Sequence, residues 1–324
     1  MYSSNEILEK VNQALAKLPL DKEPVNLYKP IEYVLSLGGK RIRPVLMLMA
    51  YNLYREDVEN CMPQALGLET YHNFTLLHDD LMDRADVRRG KPCVHKIWND
   101  NQAILSGDTM LVLAAQMVAS GNSSRKADAL EIFFQTALGI DEGQQLDIDF
   151  ETRDDVREEE YIEMVRLKTS VLLACALKIG ATMADAPSED CDTLYRFGEK
   201  LGVAFQLQDD FLDVYGDYKT FGKRIGGDIL CNKKTYMLIN ALRLASPEQR
   251  MELQGWLAAT EYREEEKIQA VTNLYSTIGV DKLALRTIDA YFLEAVKELD
   301  LVDLPEEKKK NLRSMALQLM GRNF

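Results

Sequence analysis

The chain has 324 residues, and its 39 lysines and arginines against 52 aspartates and glutamates leave a formal net charge of −13. An isoelectric point near 4.9, with no basic run longer than residues 308–310, excludes a nucleic-acid binder, which needs a basic face. A composition of 46% hydrophobic and 28% charged residues excludes a disordered acidic tail, and a chain of this length buries roughly 75% of its unfolded surface.

Residues 1–10 are polar and acidic, so no signal peptide is expected. No apolar run approaches the roughly 20 residues of a membrane span, and a soluble cytoplasmic protein is expected. The five cysteines form no CxxC pair and read as reduced thiols. The three histidines, His72, His78 and His95, lack zinc-ligand spacing and read as helix-face or pocket residues. No Pro/Gly/Ser-rich linker divides the chain, so one domain over residues 1–324 is expected.

There are only nine prolines, and 93–186 and 188–246 contain none, which favours long helices. In chain order, segments 64–82, 104–119, 161–183, 194–214 and 280–299 repeat apolar residues at three and four. The fold class is therefore all-α, a bundle of helices. Segments 111–115 and 170–177 belong to helices apolar over much of their circumference and read as its central members. Irregular stretches are expected at 18–24, 84–92, 120–126, 153–158 and 216–227.

Two of those stretches directly follow acidic clusters. His78-Asp79-Asp80-Leu81-Met82-Asp83 has a counterpart in Gln208-Asp209-Asp210-Phe211-Leu212-Asp213, and both are DDxxD. On a helix the first and last aspartates are i and i+4, one turn apart on one face. Carboxylates so grouped repel unless cations bridge them. Hard oxygen ligands in that arrangement suit magnesium, which takes one or two carboxylates and completes its shell with water and phosphate. Asp154-Asp155 sits in a run charged all round, and either residue is expected to cap the next helix.

Phosphate bound through metal also calls for fixed cations. Arg88-Arg89-Gly90-Lys91 follows the first cluster, Gly38-Gly39-Lys40-Arg41-Ile42-Arg43-Pro44 precedes it, and Lys223-Arg224 and Lys233-Lys234 follow the second. Arginine offers paired N–H groups to phosphate oxygens, lysine a mobile point charge, and paired glycines a backbone that an anion can approach.

These residues, with Gly143 to Asp147 (GQQLD), Lys168-Thr169 and Phe205 to Asp213, resemble the trans-isoprenyl diphosphate synthases of the polyprenyl synthetase family, in order from Gly38 to Lys233. The resemblance implies mostly antiparallel helices around a deep central cavity, the two aspartate motifs facing across its mouth, and a homodimer. It implies that Asp79, Asp83 and Asp209 are the chief ligands of three magnesium ions, with Asp80, Asp210 and Asp213 as ligands or water-mediated support. Arg88, Lys168 and Lys223 would hold the diphosphate of the allylic substrate. Gly39, Lys40, Arg43, His72 and Arg89 would hold that of isopentenyl diphosphate. Gln144, Asp147 and Lys233 would brace the site, while Thr169 and Gln206 would shield a carbocation.

The implied reaction is a magnesium-dependent condensation of isopentenyl diphosphate with dimethylallyl, geranyl or farnesyl diphosphate by ionisation, condensation and elimination. No catalytic nucleophile is needed. Phe74, fifth before Asp79, with Tyr71 one turn earlier, resembles the tunnel floor of enzymes making farnesyl or geranylgeranyl diphosphate. Core packing is the alternative for Phe74. The family also implies departures: Arg224 lengthens the loop before Lys233, Cys231 stands where an acid is common, and Arg322 in the tail could cover the isopentenyl diphosphate site. Two other functions share part of the pattern, a class I terpene cyclase and a non-catalytic subunit of a heteromeric prenyl synthase. The second DDxxD and the 38–44 loop argue against the first, and two intact motifs against the second.

Overall fold

A computed structural model of the chain describes residues 1–216 and 225–321, so Lys223, Arg224 and Arg322 lie outside the described residues. The chain divides into two compact units. The first comprises Met1–Thr136, Cys175–Tyr195 and Val302–Met315, and the second Ala137–Ala174, Arg196–Leu301 and Ala316–Phe324.

In the first unit the chain opens with α1 (Ser4–Leu15), where Ser3 and Glu6 cap each other reciprocally, then α2 (Val25–Ser36) and α3 (Ile42–Asn52). The predicted helix 64–82 is α4 (Met62–Met82), and it packs along α6 (Asp100–Val118). Between them lie the single turn α5 (Val94–Ile97) and a two-stranded hairpin, β1 (Val87–Arg88) and β2 (Lys91–Pro92). That hairpin stands inside the stretch expected to be irregular. Its two central residues, Arg89 and Gly90, both have positive φ, the geometry that matches the twist of a tight two-residue turn.

The α4 helix is buried on nearly every side from Gln64 to Tyr71, which is why its apolar residues show no narrow stripe. Gln64 donates to the carbonyls of Val118 and Ser120 at 3.0 and 2.9 Å, satisfying the C-terminal end of α6 that the helix itself leaves open. On α6 the expectation for 111–115 needs correction. Ala114 is buried but Val112 is 56% exposed, so this apolar segment is covered on one side only and is no central member of the unit. Apolar residues all round a helix signal burial without saying what covers them.

α7 (Lys126–Glu151), α9 (Val171–Met183), α10 (Ser188–Tyr215) and α16 (Glu306–Leu319) each contribute residues to both units. The second unit adds α8 (Glu158–Val165), α11 (Gly227–Leu230), α12 (Tyr236–Leu244), α13 (Pro247–Ala258), α14 (Glu264–Ile278) and α15 (Val280–Leu301). Here α12 lies against α8, α14 and α15. The segment 161–183, read as one helix, is divided by a π turn at Arg166–Ser170. Such wide turns mark places where an inserted residue re-aims side chains. Asp154 and Asp155 cap nothing: they pair with Lys234 and Arg153, and α8 is capped by Glu160, which accepts the Arg157 N–H at 3.1 Å. No helix among the described residues is long and apolar enough to cross a membrane.

Candidate functional site

Both DDxxD repeats sit at the C-terminal ends of long helices, Asp79 to Asp83 on α4 and Asp209 to Asp213 on α10. The two repeats treat their aspartates alike. The middle one is buried and held by protein donors, while the outer two remain half-buried or exposed. Asp80, 6% exposed, takes the Arg88 guanidinium in a forked pair, Nε at 2.8 and 2.7 Å from its two oxygens and the other nitrogen at 2.7 Å. Asp210, 5% exposed, accepts a short hydrogen bond from Tyr161 and one from Gln206 Nε2 at 3.2 Å. Burial, with the Asp228 charge adding to it, pushes the Asp210 carboxyl up to about 7. Asp213 accepts the Asp228 N–H at 3.0 Å, which places its carboxylate at the first turn of α11.

In the first unit the predicted isopentenyl diphosphate set is partly assembled. Arg43 donates to His72 Nε2 at 3.1 Å, and because a guanidinium only donates, the His72 proton sits on Nδ1. The Arg43 Nε is buried with no protein partner, a donor left over for an anion. Arg89 donates to the Gly38 carbonyl, and its guanidinium lies 2.9 Å from where a Cβ on Gly39 would stand. With φ of +133°, Gly39 is a position that an L side chain would strain. Lys40 is exposed on the same loop.

Below that loop lies a pair of residues that sequence reasoning missed. Arg41, at positive φ just before α3, is buried and donates to Glu69 at 2.7 Å and to the Leu35 carbonyl. Asn73 also donates to Glu69, at 3.0 Å. A lone acid inside the apolar segment 64–77 was the available signal for it. Burial, then the charges of Arg43, Arg89, Arg88 and Arg41, hold the His72 imidazole well below its usual range. It therefore stays neutral in the folded chain while the unfolded chain takes up a proton below pH 6.5, and stability falls as pH drops, by up to about 1.4 kcal/mol per pH unit. In His72→Gln the loss of melting temperature between pH 7.5 and 5.5 is expected to be smaller than in the wild type. Equal losses would contradict the assignment.

In the second unit Lys168 pairs with Asp147 at 2.6 Å, and Thr169 donates to Gln206 at 3.4 Å. Both Lys168 and Thr169 come from the π turn. Gly143 makes room for it: a Cβ there would lie 2.4 Å from the Lys168 backbone nitrogen. Gly143→Ala is accordingly expected to cost about 1–3 kcal/mol, read as a lower urea midpoint. An unchanged midpoint would refute the close approach. Gln144 is half-buried one residue on, and Lys233 is exposed before the Thr235 cap of α12. A cavity of about 870 Å³ also opens in this unit, but its lining includes none of the aspartates of either repeat.

Among the described residues no three His, Cys, Asp or Glu side chains are grouped as a ready-made metal site. The donor chemistry fits magnesium nevertheless. Carboxylate pairs at i and i+4 on partly accessible helix ends offer the one or two oxygens that this ion takes from protein.

Comparison with known proteins agrees with this reading. The family model for polyprenyl synthetase matches residues 24–275. A short chain isoprenyl diphosphate synthase of Methanocaldococcus jannaschii is 38% identical over 283 residues, covering 87% of this chain and 86% of that protein. A geranylgeranyl diphosphate synthase of Methanosarcina mazei is 37% identical over 317 residues, covering 97% and 95%. Among solved structures, a geranylgeranyl pyrophosphate synthase superposes with a TM-score of 0.95 at 42% identity, covering 100% of both chains.

Proposed function

The chain belongs to the polyprenyl synthetase family, an all-α family of trans-prenyl chain-elongating enzymes, and we propose that it joins isopentenyl diphosphate head to tail with an allylic diphosphate to make geranylgeranyl diphosphate as its main product. The observation that carries the reading is the shared plan of the two DDxxD repeats, a buried, protein-held middle aspartate between two accessible ones. The twenty-carbon length is supported by the names of the Methanosarcina relative and of the solved structure.

In this reading Asp79, Asp83, Asp209 and Asp213 would offer carboxylate oxygens to three magnesium ions, while Asp80 and Asp210, each held by protein donors, would orient them. Bound there, magnesium would supply positive charge to the oxygens of the allylic diphosphate. Arg88, held by Asp80, and Lys168, held by Asp147, add fixed charge where negative charge builds as the carbon–oxygen bond breaks. Lys223 and Lys233 serve the same anion. Arg43, with Lys40, Arg89 and His72, holds the diphosphate of isopentenyl diphosphate so that its double bond attacks the allylic cation. Thr169 and Gln206 turn their oxygen dipoles toward that cation, a proton leaves the new chain to the released diphosphate, and water is kept out.

Chain length is assigned to the α4 face before the first repeat. The Phe74 ring packs against Tyr71 at 5.5 Å and His78 at 4.7 Å between centroids, and Tyr71 rests on Phe133 at 5.1 Å. Phe74→Ala is expected to lengthen the product by one or more five-carbon units. An unchanged product distribution, read by chromatography after dephosphorylation, would return Phe74 to core packing.

The enzyme is further proposed to be a cytoplasmic homodimer acting as one catalytic domain. Five unpaired cysteines support the compartment. Exposed Ile104, Leu105 and Val112 on α6, with Phe134 on α7, support a second copy as what covers that apolar face. Incubation with isopentenyl diphosphate and each of dimethylallyl, geranyl and farnesyl diphosphate tests the activity. Elongated linear alcohols after dephosphorylation are expected, and cyclised hydrocarbons or no product would overturn it.

A further inference from the structure

We propose that Tyr161 is a positioning residue for the second aspartate repeat, holding the Asp210 carboxylate from α8 and thereby fixing how α10 presents Asp209 and Asp213. The inference rests on the reading above. Tyr161 is 2% exposed, and its hydroxyl, the one polar atom of a large apolar side chain, is spent on Asp210 Oδ2. Gln206, one turn before Asp210 on α10, donates to the other oxygen at 3.2 Å, and Gln206 in turn accepts from Thr169 at 3.4 Å. One hydrogen-bonded chain thus joins α8, α10 and the π turn.

The geometry gives that chain a particular task. Both Asp210 oxygens already face protein donors, so what Asp210 offers its neighbours is orientation. A helix whose buried carboxylate is gripped from a neighbouring helix cannot rotate freely about its axis, and Gln206, on α10 itself, steadies the carboxylate for that grip. Asp209 is adjacent to the anchor and Asp213 lies less than one turn beyond it, so the anchor sets the direction of both. Asp213 has a second support in the Asp228 N–H of α11, and the Tyr161 bond adds one from α8. Tyr161→Phe keeps the ring and removes only the grip.

The test compares Tyr161→Phe with Tyr236→Phe in the full chain. Tyr236 is equally buried in the same unit, and its hydroxyl lies 2.8 Å from Thr287 and donates to Glu158 at the start of α8 at 3.3 Å, so the control loses a bond to the same helix but none of the bonds to Asp210. Each protein is titrated with magnesium in the presence of inorganic diphosphate, and thermal stabilisation is read. Tyr161→Phe is expected to raise the half-saturating magnesium concentration about tenfold or more, and Tyr236→Phe to leave it unchanged. Adding Tyr161→Phe to Asp210→Asn is expected to produce no further shift. Equal titrations for the two phenylalanine variants, or a full additional shift in the double variant, would overturn the role. If Tyr161→Phe does not fold, Asp210→Asn is titrated alone, and an unchanged half-saturating magnesium concentration there overturns the role equally, because the tyrosine is argued to act only through Asp210. Elongation by the wild type is measured alongside, so that its absence, which would sink the reading itself, is distinct from failure of the tyrosine's role.

Discussion

Asp79→Ala and Asp209→Ala are each expected to lower the rate of prenyl elongation by about 10³-fold or more while leaving circular dichroism and melting temperature close to those of the wild type. The expected size follows from chemistry in which charge on the departing diphosphate is the main obstacle, where loss of a single charge-stabilising group costs two to three orders of magnitude. Preservation of the fold follows from burial. Both carboxylates are only half-buried on helix ends, so a methyl group there opens no large cavity in the core. The buried middle aspartates should behave in the opposite way. Asp80→Asn and Asp210→Asn keep most of the shape and are expected to cost roughly 10- to 100-fold, the range for groups that orient ligands without being ligands. Turnover above a tenth of wild type in Asp79→Ala or Asp209→Ala would remove the outer aspartates from the assignment.

The second large effect is structural. Arg41→Leu is expected to destabilise the protein by about 3–5 kcal/mol, because it strands the Glu69 carboxylate, 2% exposed at its side chain, without its cation. The same change should raise KM for isopentenyl diphosphate more than KM for the allylic substrate. Arg41 stands at positive φ between Lys40 and Arg43 and is tied by its side chain to Glu69 and the Leu35 carbonyl. Without those ties the strained residue relaxes and the loop moves with it. Arg41→Met with Glu69→Met, which removes both charges, is expected to recover most of the stability. Denaturant midpoints of the single and double variants check the expectation, and a single variant as stable as the wild type would contradict it.

The helices were legible because their apolar residues recur at three and four. The predicted 64–82 and 280–299 lie within a few residues of Met62–Met82 and Val280–Leu301. The predicted 194–214 starts late because the first turns of Ser188–Tyr215 are polar and acidic and are marked by charge at a helix N-terminus, not by periodicity. The π turn at Arg166–Ser170 left no trace of that kind. One extra residue in a turn shifts the apolar face by an amount that a short window cannot register, and the close approach permitted by Gly143 becomes visible only once the helices are packed.

The aspartate repeats and basic loops could be read because they are local in sequence. Their supports could not, since Tyr161 meets Asp210 and Arg41 meets Glu69 across long sequence separations. Val112 shows a different limit. An apolar residue on a helix raises the expectation of burial, and periodicity alone does not distinguish a position in the chain's own core from an exposed one such as Val112.

Metal-dependent elongation that requires both repeats is the central expectation for this enzyme. The most direct measurement follows the rate of elongation of farnesyl diphosphate by isopentenyl diphosphate against free magnesium, using protein stripped with a chelator. The predicted result is no product without magnesium, full recovery on its return, and no recovery in Asp79→Ala or Asp209→Ala at the same concentrations. Elongation by the stripped protein, or an unchanged magnesium curve in either variant, would contradict it.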